Sequence, residues 1–556
     1  MSTASRPCPA PPRVPPGRSP SHLWPLLVPG LLLVLAPPAR AAVSPGQAAE
    51  WREDLAFLAA ELPKRHAGAF HTMPRDTFEA RVARLDAAIP RMDHQQIAVA
   101  IAELVAGVAD GHTRLTLPVD PAAGFFGGHS STPEPRLDAL RFHHLPIRLY
   151  IYSDGLYVRR IGRAHTRAAG ARVLRIGGMT ADDAMRAVRP VVQRDNDMQI
   201  AHLLPDFLVV PEVLAARGVT ADPARAAFEV ETPGGRRMTL DLGAVPYGDS
   251  VAWVDARDAA KAPVPLYLRD TGTNYRFEYL QGERIVYVPY NEVYDEEGET
   301  LEQFADRLFG FVESNPVEAL VVDIRGNPGG NNARNRPMLM GLIRSAKLRE
   351  PGRLFVIAGR GTFSAAMMFA LDVEKYTQAI FVGEETGARP NHHGDSRKLE
   401  LPHSGLTVRI SSLYWQYSDP RDGRDAIAPH VPAPLASADY AANRDPALEA
   451  IRAMVAGPPN APELRGKYEG FVHVAPGAYA FALEFGGADG ASFGSKDLGL
   501  PPVGIEGLQH DARRLAFDVP LEGRTMRLEG RWMNGWLIGT LAVPANGTHL
   551  VVIPGE

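Results

Sequence analysis

The chain has 556 residues, of which 45% are apolar and 22% are charged, and its formal net charge is −5 at neutral pH. This length exceeds what one hydrophobic core usually supports, so several domains are expected. The composition excludes a disordered or low-complexity chain, and the mild acidity argues against nucleic acid or an anionic membrane surface as the main partner.

The first 41 residues have the features of a secretory signal peptide. Arginines precede the apolar run LWPLLVPGLLLVLA, and the small-residue pattern ARA ends at Ala41. A transmembrane anchor is the alternative, but the run is short for a span of about 20 residues and contains Pro25 and Pro29. Removal of residues 1–41 takes away four arginines and no acids, which changes the charge from −5 to −9. The sequence predicts a secreted protein, either periplasmic or extracellular.

The only cysteine, Cys8, lies inside this segment. The mature chain is therefore predicted to use neither disulfide bonds nor a cysteine nucleophile. The histidines show no HExxH or similar spacing of metal ligands, so no metal or other cofactor is predicted.

Apolar residues recur at three-and-four spacing between residues 48 and 109, which predicts three helices. We assign residues 48–118 to an N-terminal helical domain. Residues 140–262 differ, because stretches such as LPIRLYIYSDGLYVRRI indicate strands with turn glycines. This β-rich module is either a degenerate PDZ-like unit or a plain structural insert.

Residues 265–455 are assigned to an α/β core, since short apolar strands alternate there with helical patterns. Such strands predict a largely parallel sheet buried on both faces, with catalytic groups at the C-terminal ends of its strands. Residues 456–466 are a proline-rich linker. Residues 467–556 alternate polar and apolar residues between glycine turns, which predicts an all-β sandwich or barrel.

Ser364 falls where a buried strand is predicted to turn into a helix, in GTFSAAMMFALDVEKY. We expect it to cap the helix and to be a nucleophile as well, because a helix N-terminus favours developing negative charge. The sequence around it does not match the Gly-x-Ser-x-Gly elbow of α/β-hydrolases. A serine nucleophile needs a base, and the residues alone do not select among the candidate histidines: His112, His143, His144, His392, His393 and His430.

The segment VVDIRGNPGGNN, residues 321–332, is a second candidate for chemistry. A buried strand ends there in Asp323 and Arg325, and three glycines and a proline shape a tight turn whose N–H groups can point one way. Such a turn is suited to an oxyanion. The alternative is an ordinary glycine-rich turn.

Six segments resemble, in order, the core of the S41 serine peptidases, the tail-specific or C-terminal processing protease family: IVYVPYN, VVDIRGNPGGNN, GTFSAAMMFA, VGEETGARPN, LPHSGLTV and IAPHVP. The upstream DGHT and helical region are similar to the branch related to the tricorn core protease and interphotoreceptor retinoid-binding protein. The resemblance spans roughly residues 50 to 450. It implies a ClpP/crotonase-like α/β protease core.

The resemblance implies that Ser364 is the nucleophile and His112 the general base. It also implies an oxyanion hole made by Gly329, Gly330 and the N–H of Ala365. Arg389 stands where the other branch of the family has a lysine base; because arginine cannot abstract a proton, histidine is favoured.

The resemblance further implies a serine relay and an acid that orient the base. Gly111 stands in place of that serine, and Asp422 is preferred over Asp425 as the acid. His430 replaces an aspartate of the family pattern. The supporting residues are expected to be Asn291, Asp323, Arg325, Glu384 and Arg389.

The resemblance therefore predicts a secreted serine peptidase that hydrolyses peptide bonds through an acyl-enzyme. One alternative is a non-catalytic protein that binds a hydrophobic ligand or peptide on the same scaffold. The other is an esterase or amidase. The expected partner is a peptide or protein substrate, with no nucleic acid and no membrane span after signal removal; the oligomeric state is not predicted.

Overall fold

A computed structural model describes residues 41–117, 136, 140–246, 250–457, 463–474, 477–487, 490–544 and 547–554. Residues 1–40 of the predicted signal peptide and residues 458–462 of the predicted linker lie outside the described residues. Within the described ranges, no helix combines the length and the apolar character that crossing a membrane requires.

Three helices and one short strand form the N-terminal part: α1 (Pro45–Arg65), α2 (Arg75–Ala88), α3 (His94–Ala106) and β1 (Arg114–Thr116). Capping boxes start two of these helices, with Ser44 and Gln47 at α1 and Asp93 and Gln96 at α3. Most of α3 is buried. The turn between α3 and β1 contains His112.

The β-rich module comprises β2 (His143–His144), β3 (Ile147–Tyr152), β4 (Gly155–Gly162), β5 (Arg172–Ile176), β6 (Met179–Thr180), α4 (Ala181–Val188), α5 (Asp197–Phe207), α6 (Pro211–Ala216), β7 (Arg225–Glu231), β8 (Arg237–Gly243), β9 (Val245–Pro246) and β10 (Trp253–Asp255). Seven of these strands form one sheet, in the order β10-β4-β5-β7-β8 with β3 on β4 and β6 on β5. Inward residues alternate with exposed ones along β7, as expected for a strand with one buried face. The PDZ-like alternative stays a prediction.

The core contains β11 (Glu278–Leu280), β12 (Ile285–Pro289), α7 (Leu301–Ser314), β13 (Ala319–Asp323), α8 (Arg336–Arg344), β14 (Leu354–Ala358), α9 (Ala365–Tyr376), β15 (Ile380–Gly383), β16 (Asn391–Glu400), β17 (Thr407–Gln416), β18 (Val431–Pro432), α10 (Ser437–Ala441) and α11 (Pro446–Ala456). Its sheet has the order β11-β12-β13-β14-β15-β18 and is parallel except for β11. This confirms the predicted mixed α/β class.

Both faces of this central sheet are covered, which explains its uninterrupted apolar strands. Val286 and Val322 belong to the large core that also contains residues of α7 and α9. Ile285 and Val321 point to the opposite face, into a cluster with α11. Because successive side chains of a strand face opposite ways, every position of these strands needs an apolar residue.

A hairpin carries the chain out of the central sheet. Strands β16 and β17 pair with each other, and β17 also pairs antiparallel with β1, so the three form a separate sheet in the order β1-β17-β16. This pairing brings the N-terminal part of the chain to the edge of the core at which the parallel strands end.

The C-terminal region is a nine-stranded antiparallel, barrel-like sheet: β19 (Gly466–Val474), β20 (Gly477–Gly487), β21 (Gly490–Ser495), β22 (Leu500–Gly504), β23 (Glu506–His510), β24 (Arg514–Leu521), β25 (Arg524–Met533), β26 (Trp536–Val543) and β27 (Gly547–Ile553). One of its outer surfaces packs on the core, since Met533 and Ile538 share a buried cluster with Ile451 and Met454 of α11. The predicted all-β character is confirmed.

Replacement of Ile538 by alanine is expected to lower the free energy of unfolding by about 2–5 kcal/mol, because the side chain is fully buried in the cluster shared with α11. Chemical denaturation followed by circular dichroism measures this change. Leu508→Ala is the control, since Leu508 is 44% exposed in the same region and surface changes usually cost within about 0.5 kcal/mol. Equal stability of the two variants would contradict the packing described here.

Candidate active site

Ser364 lies between β14 and α9 in an uncommon backbone conformation, with φ 51° and ψ −124°. A positive φ is strained for a residue with a side chain. The Ser364 hydroxyl makes no capping hydrogen bond to α9, so the predicted capping role is wrong. The hydroxyl instead lies 3.0 Å from Nε2 of His112.

The glycine-rich turn after β13 packs directly on Ser364. A Cβ atom on Gly329, whose φ is 105°, would lie 2.7 Å from the Ser364 Cβ and equally close to the Ala365 nitrogen. No residue with a side chain fits there. The N–H of Gly329 donates to Oδ1 of Asn327 over 2.8 Å, so this N–H is already engaged and the Gly329 N–H predicted for the oxyanion hole is not available in this arrangement.

Two other N–H groups next to Ser364 remain unengaged. The Gly330 N–H makes no hydrogen bond to the described residues. The two hydrogen bonds to Val293 are made by the neighbouring Gly329 carbonyl and the Asn331 N–H. The Ala365 N–H begins α9, where no carbonyl of the helix can reach it. Both are therefore able to receive an oxygen that carries negative charge.

A small network of buried amides holds these two loops together. The Asn327 side chain donates to the Tyr290 carbonyl over 2.8 Å, and the Asn327 carbonyl accepts from the Phe363 N–H over 3.0 Å. The Asn335 side chain donates to the Ala365 carbonyl and accepts from the Tyr290 hydroxyl, each over 2.8 Å. The turn and the first residue of α9 therefore keep a defined relative position.

His112 is held by stacking and by its own backbone. Its ring stacks on Phe363 with centroids 4.3 Å apart and lies parallel to His392 at 5.9 Å. The backbone N–H of His112 donates to Oδ1 of Asp110 over 2.8 Å. Among the described residues, no carboxylate accepts a hydrogen bond from its buried Nδ1 atom, so the ring is positioned without a direct carboxylate contact.

Burial, together with the charges of His392 and Arg114, lowers the pKa of His112 to about 3, although the charge of Asp110 opposes this shift. His112 is therefore neutral at physiological pH. With Nε2 next to the Ser364 hydroxyl, the neutral ring can accept a proton from it.

Asp110 is fully buried beneath this turn. One of its oxygens accepts from Nε2 of His66 over 2.9 Å and from the Thr113 hydroxyl. The Gly68 N–H donates to Nδ1 of His66, which places the proton of His66 on Nε2. Burial raises the pKa of the Asp110 carboxyl, but hydrogen bonds from His66, Ser411 and Thr113 hold that pKa below its ordinary value. An ionised carboxylate thus lies close to His112.

Asp195, from the β-rich module, supports the same turn. Its Oδ1 accepts from the Gly111 N–H over 2.7 Å, while its own N–H donates to Gln199. Burial and the nearby charge of Asp110 raise the pKa of Asp195 to about 7. A Cβ on Gly111 would lie 2.6 Å from the Gln199 oxygen and 2.7 Å from the Phe363 ring, which explains glycine where the resemblance leads one to expect serine.

The structure does not bring Asp422, predicted to orient His112, to that ring. The Asp422 carboxylate accepts from the Ser418 hydroxyl over 2.6 Å and from Arg424 over 3.0 Å, and Arg424 also pairs with Glu374. Asp425, the second choice, is exposed and pairs with Arg389. Both acids are engaged with arginines, which are the stronger partners for an ionised carboxylate.

The remaining predicted residues have structural partners. Arg325 forks between Asp323 and Asp445, Glu384 pairs with Arg360, and the Asn291 side chain donates to the Thr273 carbonyl. Among the other candidate histidines, the contacts are His143 with Glu212, His144 with the Leu145 carbonyl, His392 with the Arg389 carbonyl, His393 with the rings of His66 and His71, and His430 with the Phe381 N–H. Among the described residues, His112 is the histidine hydrogen-bonded to Ser364.

Ser364 and His112 open onto a cleft of about 730 Å³. Its lining includes Gly329, Gly330, Ala365, Glu292, Tyr294, Asp395 and Trp415. Pockets of this size commonly bind small or extended ligands. The cleft thus gives a ligand access to the hydroxyl, the imidazole and the two unengaged N–H groups together.

Sequence reasoning missed Asp110, Asp195 and Asp395. Asp110 could have been predicted from the sequence, because it lies two positions before His112 in the motif DGHT. Asp195 is 84 positions from the glycine that it contacts, and no local pattern marks it. Asp395 lies on a strand whose position beside the cleft depends on the pairing of β16 and β17.

No protein-family model matches the sequence, and no curated protein matches it. The chain resembles two solved structures of CPAF at a TM-score of 0.50 and 13% identity. One is mature CPAF complexed with lactacystin, for which the alignment covers 73% of this chain and 97% of that one; the other is a CPAF mutant, with coverages of 74% and 97%. A weaker likeness, with a TM-score of 0.34 and 14% identity, links 70% of this chain to 93% of the photosystem II D1 C-terminal processing protease.

The reactivity of Ser364 should persist in mild acid. Because His112 has its pKa lowered to about 3, the ring stays an unprotonated base well below the ordinary histidine range near 6.5. The rate at which a fluorophosphonate modifies Ser364, measured by mass spectrometry between pH 4.5 and 8, should show no loss centred near pH 6.5. A tenfold fall between pH 7 and pH 5 would mean that the histidine titrates normally.

Asp195 should make the protein less stable as pH rises. Its folded pKa is raised to about 7 from the ordinary value of 3.8, so its stabilising contribution is present below about pH 4 and is lost as pH rises through 7. In the isosteric Asp195→Asn variant this loss should be absent. In the wild type it amounts to about 2–4 kcal/mol of the free energy of unfolding at pH 8. Urea denaturation at pH 4 and pH 8 measures it, with the exposed Asp197→Asn as control. A pH dependence equal to that of the wild type in Asp195→Asn would contradict the assignment.

Proposed function

Since the chain has the fold of the S41 peptidases, we propose that it is a serine peptidase with Ser364 as nucleophile and His112 as general base. The observation that carries the proposal is the 3.0 Å contact between the Ser364 hydroxyl and Nε2 of His112. It lies at the floor of a cleft, next to two unengaged N–H groups. The substrate class is a peptide or protein.

In the proposed reaction, His112 takes the proton of Ser364 as Oγ bonds to the carbonyl carbon of a peptide. The N–H groups of Gly330 and Ala365 bind the oxygen that gains negative charge. His112 then gives its proton to the leaving amine, the C–N bond breaks, and an acyl-enzyme ester remains. Water attacks this ester with the help of His112 and restores the free hydroxyl.

The charge on His112 during these steps needs a partner, because a base with a pKa of about 3 accepts a proton poorly on its own. In this proposal Asp110 is that partner. Its buried carboxylate accepts from the backbone N–H of His112, and its negative charge favours the protonated ring. Gly329 allows the close approach of the turn to Ser364 in this proposal, while its N–H donates to the Asn327 side chain. Asp110 thus replaces Asp422 as the acid proposed to act on the base.

We also propose that the enzyme acts outside the cytoplasm. The support is the arrangement of arginines, apolar run and ARA pattern in residues 1–41. The intact mass of the protein purified from its native host then corresponds to a chain that starts after Ala41.

Fluorophosphonate treatment followed by intact-mass and peptide-mapping spectrometry tests the catalytic pair. The wild type should gain one adduct on Ser364, Ser364→Ala should gain none, and His112→Ala should react about a hundredfold more slowly or less, since a positioned base contributes about that factor or more. His143→Ala is the matched control, because His143 is bound to Glu212 away from the serine.

A folded wild type without the adduct would contradict the proposal and favour the non-catalytic binding protein. The wild type is next incubated with a diverse peptide library and with p-nitrophenyl esters, both before and after it is labelled with the fluorophosphonate. Loss of peptide cleavage on labelling supports a peptidase; hydrolysis of esters alone would replace it by an esterase.

A further inference from the structure

One wall of the cleft carries a carboxylate to which the catalytic steps above assign no role. Asp395 lies on β16, where the pairing with β17 joins Gly394 to Leu413 and Ser396 to Ser411 but is interrupted at Asp395. The backbone of Asp395 has a positive φ of 51°. The Ser412 hydroxyl donates to the Asp395 carbonyl over 2.7 Å and helps to hold this strained conformation. Such strain concentrates at functional sites.

The Asp395 carboxylate is fixed but not neutralised. Oδ2 accepts from the indole N–H of Trp415 over 2.7 Å, which sets the direction of the side chain. Among the described residues, no lysine or arginine forms an ion pair with Asp395, and Oδ1 accepts no hydrogen bond. The residue is exposed to the cleft. A charged group held in place without a counter-ion is suited to bind one.

This carboxylate lies beside the reacting groups. Asp395, His112 and Ser364 line the same cleft, and a Cβ on the preceding Gly394 would be 3.8 Å from the His112 ring, an ordinary contact distance. The described residues that line the cleft include no lysine or arginine. The field in the cleft therefore favours a cation.

Resting on the proposed peptidase function, we propose that Asp395 forms a subsite for a lysine or arginine side chain of the substrate, next to the bond to be cleaved. Trp415 lines the same cleft and offers an aromatic face on which the apolar stem or the guanidinium can pack. The carboxylate binds the charged end. The enzyme then selects peptides that carry a positive charge near the scissile bond.

A purely structural role for Asp395 makes a different prediction. If the carboxylate served only to hold Trp415, an asparagine would do as well, because its amide oxygen also accepts from the indole N–H. Asp395→Asn therefore keeps the hydrogen bond and removes the charge. A loss of charge preference in this variant separates the two roles.

The test measures binding, so that it does not depend on catalysis. The full mature chain with Ser364→Ala is titrated into fluorescein-labelled nonapeptide pools whose central residue is either arginine or its neutral analogue citrulline, with Ala, Gly and Ser elsewhere. Fluorescence anisotropy should show binding about fivefold tighter for the arginine pool at low salt, the effect of a partly exposed ion pair. Raising the salt concentration should reduce this ratio.

Adding Asp395→Asn to this chain should bring the ratio close to one, and Asp395→Lys should shift the preference to a glutamate-centred pool. The control is Asp241→Asn, which removes an exposed acid that pairs with Arg225 in the β-rich module, and it should leave the ratio in place. Equal binding of the arginine and citrulline pools overturns the subsite, as does an unchanged ratio in Asp395→Asn. A charge preference without labelling of Ser364 in the wild type would overturn the peptidase chemistry and leave the subsite standing.

Discussion

The hydrogen bond between His112 and Ser364 joins parts of the chain that are 252 positions apart. It depends on the antiparallel pairing of β1 with β17, which places the turn after α3 at the edge of the parallel sheet. The two residues meet only when the N-terminal helices, the hairpin and the core have assembled. The hydrogen-bonded pair is thus a product of tertiary folding, and an isolated core would carry Ser364 without His112.

Steric limits at three loops set the geometry around that bond. Gly329 lets the turn after β13 approach Ser364, Gly111 makes room for Gln199 and Phe363, and Gly394 lets β16 lie close to the Trp415 ring. Each position would clash or crowd if it carried a Cβ atom. These close approaches leave the site little freedom, which favours a preorganised arrangement of hydroxyl, imidazole and N–H groups.

Two buried carboxyl groups hold the same region through hydrogen bonds. Asp110 holds the turn through His112 and Thr113, and Asp195 holds it through Gly111 from the β-rich module. The next residue, Asn196, donates to the carbonyls of Thr386 and Asp425 in the core. The β-rich module therefore helps to hold the turn that carries His112. The C-terminal sheet contacts the opposite face of the core through α11 and has no described residue in the cleft.

The sequence by itself determined the α/β class, the strand-to-helix position of Ser364 and the glycine turn that faces it, because apolar periodicity, glycine and proline act over a few neighbouring residues. The resemblance singled out His112 from six histidines that local chemistry could not separate. Only the tertiary structure decided that Ser364 does not cap its helix, that Gly329 uses its N–H on Asn327, that Asp422 pairs with Arg424, and that Asp110, Asp195 and Asp395 surround the site. Hydrogen-bond partners and burial depend on which distant strands pair, and nothing in a residue's neighbours along the chain specifies them.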